Sequence, residues 1–352
     1  MTGPRFPRLT CPISTAPMEA RLVAELPDGP EWQFEPKWDG FRCLAFRDGG
    51  EVALMSKSGK PLERYFPEVV AMLGALRGDR FVVDGELILP VGGALSFDAL
   101  QARLHPAASR IARLARETPA QLMLFDCLQR GPAALAAAPL AERRAELKRF
   151  VADEGRGGPG LSPFTRDRAE AGRWLDDSGG ALDGIVAKRR DQPYQPGERA
   201  MLKLKVRRTA DCVIGGYRLD AARTGVASLL LGLYDDDGVL HHVGFTSAIA
   251  ATERPVLLDR LRRVAGPSPF TGRAPGGPSR WSGGKASEWC PVAPEIVVEV
   301  GYDQVTGERF RHGTALVRFR PDKAPGQCRL IQLERELRPA ELAQIVGRSG
   351  AG

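Results

Sequence analysis

The segment Glu35-Pro36-Lys37-Trp38-Asp39-Gly40-Phe41-Arg42 contains the spacing Lys-x-Asp-Gly-x-Arg. A lysine held in a pocket beside other cations and a metal can lose its proton near neutral pH and attack a phosphorus atom. Arginine cannot, because its guanidinium stays protonated. The cation usage of the chain adds weight, since only nine of its 50 basic residues are lysine. Lys37, Lys188, Lys203, Lys205 and Lys323 are among those that fall in short motifs. A plain strand, Asp39-Gly40 turn and strand would explain the first motif on its own. Others follow it in order. They are Ser56-Lys57-Ser58-Gly59, Asp84-Gly85-Glu86, Phe125-Asp126, Asp183-Gly184-Ile185-Val186-Ala187-Lys188, Lys203-Leu204-Lys205 and Arg318-Phe319-Arg320-Pro321-Asp322-Lys323. Glu86 lies in an apolar stretch, where a carboxylate needs a partner. Lys203 and Lys205, two apart, share one face of a strand. That suits a phosphoryl transfer, which needs cations where charge develops.

Holding these side chains in place takes mostly strands. Residues 41–46 and 52–56 flank Asp48-Gly49-Gly50 and read as a hairpin. Residues 81–89, 121–128, 185–187 and 202–206 read as further strands. Residues 140–152 and 169–177 have helical spacing, and Gly179-Gly180 stops the second. The pattern changes after Arg207-Arg208-Thr209. Strands are expected at 211–219, 228–234, 239–246, 295–302 and 315–320, with a helix at 252–264. Five strands and one helix suit a small closed barrel of the OB type. Residues 266–284, rich in Gly, Pro and Ser, read as a mobile loop, and 337–346 as a terminal helix. The expected fold class is α+β, with domains at 1–207 and 208–352.

At 352 residues and 43% hydrophobic content, the chain can build two cores and is not a disordered polymer. No apolar run is long enough to span a bilayer. The first ten residues lack the core of a secretory signal, so a cytoplasmic protein is expected. Cys11, Cys43, Cys127, Cys212, Cys290 and Cys328 lie far apart without a CxxC pair. They read as buried thiols and not as a zinc site or disulfide scaffold. The net charge of +7 favours a polyanion such as nucleic acid. A solvated basic surface would explain that charge equally well.

Taken together and in order, the motifs resemble those of the covalent nucleotidyltransferases: DNA ligases, RNA ligases and capping guanylyltransferases. The resemblance runs from about Pro17 to Pro325. Within that group, Glu-Pro-Lys-Trp-Asp-Gly-Phe-Arg, Leu-Asp-Gly-Ile-Val-Ala-Lys-Arg and Pro294-Glu295-Ile296-Val297-Val298-Glu299-Val300 look like the small two-domain bacterial ATP-dependent DNA ligases of the C type. The resemblance implies a nucleotidyltransferase (adenylation) domain of antiparallel sheets and flanking helices, followed by an OB-fold domain. Only 36 residues precede Lys37, too few for a separate DNA-binding domain.

The implied roles follow the motifs. Lys37 carries AMP as a phosphoramidate, and Glu35 reads the adenine edge. Arg42 and Glu86 contact the ribose side, with Glu86 and Asp183 near a metal. Phe125 stacks on adenine. Lys57 and Lys188 belong to the nucleotide pocket. Lys203 and Lys205 hold the α-phosphate, and Arg320 and Lys323 orient the outgoing pyrophosphate. The implied cofactors are ATP and Mg2+ or Mn2+. The implied partner is nicked double-stranded DNA, sealed by a monomer in DNA repair, with a pivot near Arg207-Arg208. Three positions depart from the family pattern. Lys57 stands where arginine is usual, which keeps the charge but loses the bidentate fork. Asp183 stands where glutamate is common, and Ala200-Met201-Leu202 lacks a frequent tryptophan. An RNA ligase, a GTP-using capping enzyme and a non-catalytic nucleic-acid-binding protein are the alternatives.

Overall fold

The computed structural model describes residues 6–91, 94–155, 157–177, 182–205, 208–275, 288–303, 305–306, 308–311 and 313–333. The expected helix at 337–346, the second half of the expected loop and half of the expected pivot lie outside them. The chain divides into two compact units between Val206 and Arg207.

The first unit is built on two sheets. A four-stranded sheet runs Ala20–Leu22, Met201–Lys205, Leu182–Arg189, Trp32–Trp38. A larger, mainly antiparallel sheet runs Gly160–Leu161, Gln121–Arg130, Arg80–Ile88, Phe41–Asp48, Glu51–Ser56. The hairpin at Asp48-Gly49-Gly50 forms as expected, with Asp48 opposite Glu51. Asp39-Gly40 does something different, because it turns the chain from the first sheet into the second. A Cβ on Gly40 would lie 2.1 Å from the Leu87 carbonyl oxygen, so only glycine makes this corner.

Helix Leu140–Glu154 buries Leu140, Arg143, Arg144, Leu147 and Phe150, one face at spacings of three and four. Phe150 meets Phe81 of the larger sheet edge-on, with ring centroids 5.0 Å apart. Helices Pro67–Ala75, Phe97–Arg103 and Ala108–Glu117 were not expected from the sequence.

In the second unit the main strands are Arg208–Leu219, Val226–Tyr234, Leu240–Ala248, Val297–Tyr302 and Thr314–Phe319. Each of the five expected strands is present. The first pairs with both the second and the fourth, the second pairs with the third, the third lies parallel to the fifth, and the fifth pairs with the fourth. The pairings therefore close a five-stranded ring, as an OB-fold requires. Helix Arg254–Arg263 inserts Leu257, Leu258 and Leu261 into its core.

One expectation is corrected here. The described start of the Gly-rich stretch is not a free loop. Phe270 is buried, packs against His242 and Trp289, and fills the space left by Gly215. One large apolar side chain outweighs the surrounding glycines and prolines. The six cysteines are free thiols, five of them buried. Among the described residues, no helix is long and apolar enough to cross a membrane.

Candidate active site

Strand Leu182–Arg189 lies between the two lysine-bearing strands. In one row across the sheet, Gly184 is flanked by Lys37 and Lys205; in the next, Val186 is flanked by Glu35 and Lys203. Gly184 has φ +146°, a value open to glycine, and a Cβ there would lie 2.0 Å from the Leu204 carbonyl oxygen. The row thus has a gap between two lysines. A register shift beside it brings in Asp183. Its Oδ2 lies 2.6 Å from Lys37 Nζ and its Oδ1 3.4 Å from Lys205 Nζ. Nearby Lys203 is held below the usual lysine range by burial and by the charges of Lys37, Lys205 and Lys57.

Beyond the Asp39-Gly40 corner, the larger sheet supplies the other wall. Arg42 sits opposite Glu86 in the ladder. Its guanidinium is clamped by Asp84, with Nε 2.6 Å and Nη2 2.7 Å from the two carboxylate oxygens. The Tyr194 hydroxyl donates to the same carboxylate at 2.7 Å. Among the described residues, Glu86 has no such clamp. Burial raises its pKa from 4.5 to about 7, although Arg42 and Lys37 pull the other way.

Phe125 reaches the site through a bulge. Asp84 pairs with Asp126 and Gly85 with Leu124, so Phe125 is the extra residue between them. The Arg42 guanidinium carbon and the Lys188 ammonium each lie 4.5 Å from its ring centroid. A base stacked on Phe125 must share the ring with one of these cations or displace it. Lys188 also donates to Glu35 Oε2 at 2.7 Å, and Gln33 Nε2 donates to Glu35 Oε1 at 2.8 Å.

These walls enclose a cavity of about 910 Å³, lined by Glu35, Lys37, Arg42, Lys57, Glu86, Phe125, Val186, Lys188 and Lys203 among others. Lys57, well exposed, is paired with Glu19 of the cavity rim at 3.0 Å. Asp183, in contact with both Lys37 and Lys205, does not line the cavity, and neither does Lys205. Arg320 and Lys323 belong to the second unit, where both pair with Asp211. Sequence reasoning missed Asp84, Tyr194, Gln33 and Asp211. Asp84 could have been found, as the first residue of the Asp-Gly-Glu motif. The others carry no local signal.

The donor set suits a divalent cation that keeps most of its ligands from phosphate and water. No group of three or more His, Cys, Asp or Glu side chains forms a metal cage among the described residues. Glu86, a carboxyl whose ionisation burial opposes at the edge of a cationic cavity, is the group such a cation would stabilise as carboxylate.

The model of the ATP dependent DNA ligase domain matches residues 17–205, and that of the ATP dependent DNA ligase C terminal region matches 222–323. The chain belongs to the ATP-dependent DNA ligase family. DNA ligase C2 of Mycolicibacterium smegmatis is 45% identical over 341 residues, covering 92% of this chain and 94% of its own. DNA ligase C of Mycobacterium tuberculosis is 43% identical, covering 95% and 97%. The fold is also that of a solved Lig E DNA ligase, at 16% identity and a TM-score of 0.51, covering 86% of this chain and all of the other. The enzyme is thus an ATP-dependent DNA ligase of the small bacterial kind, using ATP and a divalent metal.

Proposed function

We propose that Lys37 is the residue that carries AMP during nick sealing, and that its neighbours divide the work as follows. Lys37 Nζ attacks the α-phosphorus of ATP. The N–P bond forms, the bond from the α-phosphorus to the bridging oxygen breaks, and pyrophosphate leaves with the electron pair. Asp183 Oδ2, 2.6 Å away, takes the proton that Lys37 must shed. Lys205 on the other oxygen of Asp183 holds that carboxylate in place. Lys203, at the cavity wall, meets the charge developing on the α-phosphate. Glu86 would hold a divalent cation, which when bound would neutralise charge on the phosphate oxygens. The AMP then passes to the 5′-phosphate of a nick, and the 3′-hydroxyl displaces it to join the strands.

Adenine specificity follows from Glu35 and Lys188. With the adenine amino group at Glu35, which accepts, and its ring nitrogen at Lys188, which donates, both partners are matched, whereas guanine in the same pose sets its oxygen against Glu35 and its N–H against Lys188. The observation that carries this reading is the contact between Lys37 and Asp183 beside a cavity lined by Glu86, Phe125 and Lys203.

The test is nick sealing on two substrates. Lys37→Ala is expected to lose sealing of an ordinary nick with ATP. It is expected to retain sealing of a nick that already carries 5′-adenylate, where no lysyl-adenylate is needed. Loss of both activities in a folded variant, or retention of both, contradicts the assignment.

A further inference from the structure

The barrel unit contains an arrangement that none of the motifs includes. Arg320 Nη1 lies 2.9 and 3.1 Å from the two oxygens of Asp211, and Lys323 Nζ lies 2.6 Å from one of them. One carboxylate therefore gathers two of the three cations of the last motif, Arg320 and Lys323, although it is 109 and 112 residues away in sequence. The other edge of Arg320 is held by Asp322, whose carboxylate lies 2.8 Å from Nη2.

Asp211 is itself firmly placed. It sits within strand Arg208–Leu219, directly opposite Glu299. Gln332 grips its backbone on both sides, accepting from the Asp211 N–H at 3.0 Å and donating to its carbonyl at 3.2 Å. Its side chain is 12% exposed, against 19% for Arg320 and 22% for Lys323. The anchor is thus the more enclosed partner, and the cations retain access to solvent. Two cations brought this close repel each other, and the shared Asp211 carboxylate offsets that repulsion and keeps them side by side. Asp322, 60% exposed, is the more accessible of the two carboxylates on Arg320, so an anion with several oxygens can take its place on the fork.

We infer that Asp211 is a positioning residue for lysine adenylation: it holds Arg320 and Lys323 side by side as one receptor for the departing pyrophosphate. This rests on the reading that the last motif acts on pyrophosphate. Asp211 touches neither ATP nor the reacting atoms in this account. It acts by fixing where two other side chains stand. The need for it ends once pyrophosphate has left, because later steps release only AMP.

The experiment compares wild type, Lys323→Ala, Asp211→Asn and Asp211→Glu, each as the full chain. Single-turnover self-adenylation with ATP is measured beside single-turnover sealing of a nick carrying 5′-adenylate. The KM for pyrophosphate in the reverse reaction, which regenerates ATP from adenylated enzyme, is measured as well. Asp211→Asn is expected to slow self-adenylation at least tenfold and raise the KM for pyrophosphate, while sealing of the pre-adenylated nick stays within about twofold of wild type. Asp211→Glu, which keeps the charge on a longer arm, is expected to recover part of the loss. Retained sealing shows that a slowed variant is folded.

If Lys323→Ala self-adenylates normally, the reading of the last motif fails. If Lys323→Ala is slow but Asp211→Asn is not, that reading stands and the role given to Asp211 fails. A lower KM for pyrophosphate in Asp211→Asn would show that Asp211 competes with the anion, which also overturns the inference. Equal loss of both activities in Asp211→Asn would mark it as a structural residue only.

Discussion

Glu86 is a carboxyl whose ionisation the fold opposes. Burial places its pKa at about 7 in the folded chain, against 4.5 as its ordinary value. The folded state therefore binds more protons than the unfolded state between those two values. The contribution of this group is favourable at low pH and is lost as pH rises through about 7. Glu86→Gln, which cannot ionise, escapes the loss. Without metal or nucleotide, the variant is expected to gain stability relative to wild type between pH 5 and pH 8, by up to about 3 kcal/mol. Denaturant titrations at the two pH values measure this. A difference that does not change with pH would show that Glu86 ionises freely. A divalent cation bound at Glu86, as proposed, would favour the carboxylate form and offset this cost. At pH 8, magnesium is expected to stabilise wild type more than Glu86→Gln.

Strands and helices decide whether these groups meet. Asp126, next to Phe125, is bound by Arg143 of helix Leu140–Glu154 through Nε at 2.7 Å and Nη2 at 3.0 Å. Arg143 also donates to the carbonyls of Ala138 and Gln192. Both members of the pair are buried. Removing one leaves an uncompensated charge, so Arg143→Ala is expected to cost about 3–5 kcal/mol. Urea unfolding measures it, and a loss below about 1 kcal/mol would contradict the role. The sequence made the motif visible but not its support. Arg143 is one charged residue among several in a helix whose spacing was legible, and nothing local marks it as buried. The bulge that presents Phe125 was also illegible, because no glycine signals it. The lysine corner and the barrel strands could be read directly, since alternation and Asp-Gly turns are local signals. Helices Pro67–Ala75 and Phe97–Arg103 escaped because they are short, and the placement of Phe270 depends on a cavity made by distant strands. Asp211 escaped for the same reason, being paired across more than a hundred residues.

The whole chain carries a net charge of +7 and acts on a polyanion, so salt should govern its hold on DNA. Six phosphate contacts would cost about a thousandfold in affinity between 50 and 200 mM salt. Binding of nicked duplex, followed by fluorescence anisotropy across that range, is expected to weaken with a linear log–log slope. A flat response would remove phosphate contacts from the account. Lys37 and the pair Arg320 and Lys323 lie in different units, and the proposed reaction begins at Lys37. The most direct measurement is therefore of the bond formed there. Wild-type enzyme is incubated with α-labelled ATP and magnesium, denatured, digested and mapped by mass spectrometry. The label is expected on the peptide containing Lys37, at Lys37 itself, and on no peptide of Lys37→Arg. An adduct on another lysine, or labelling that persists in Lys37→Arg, would contradict the account.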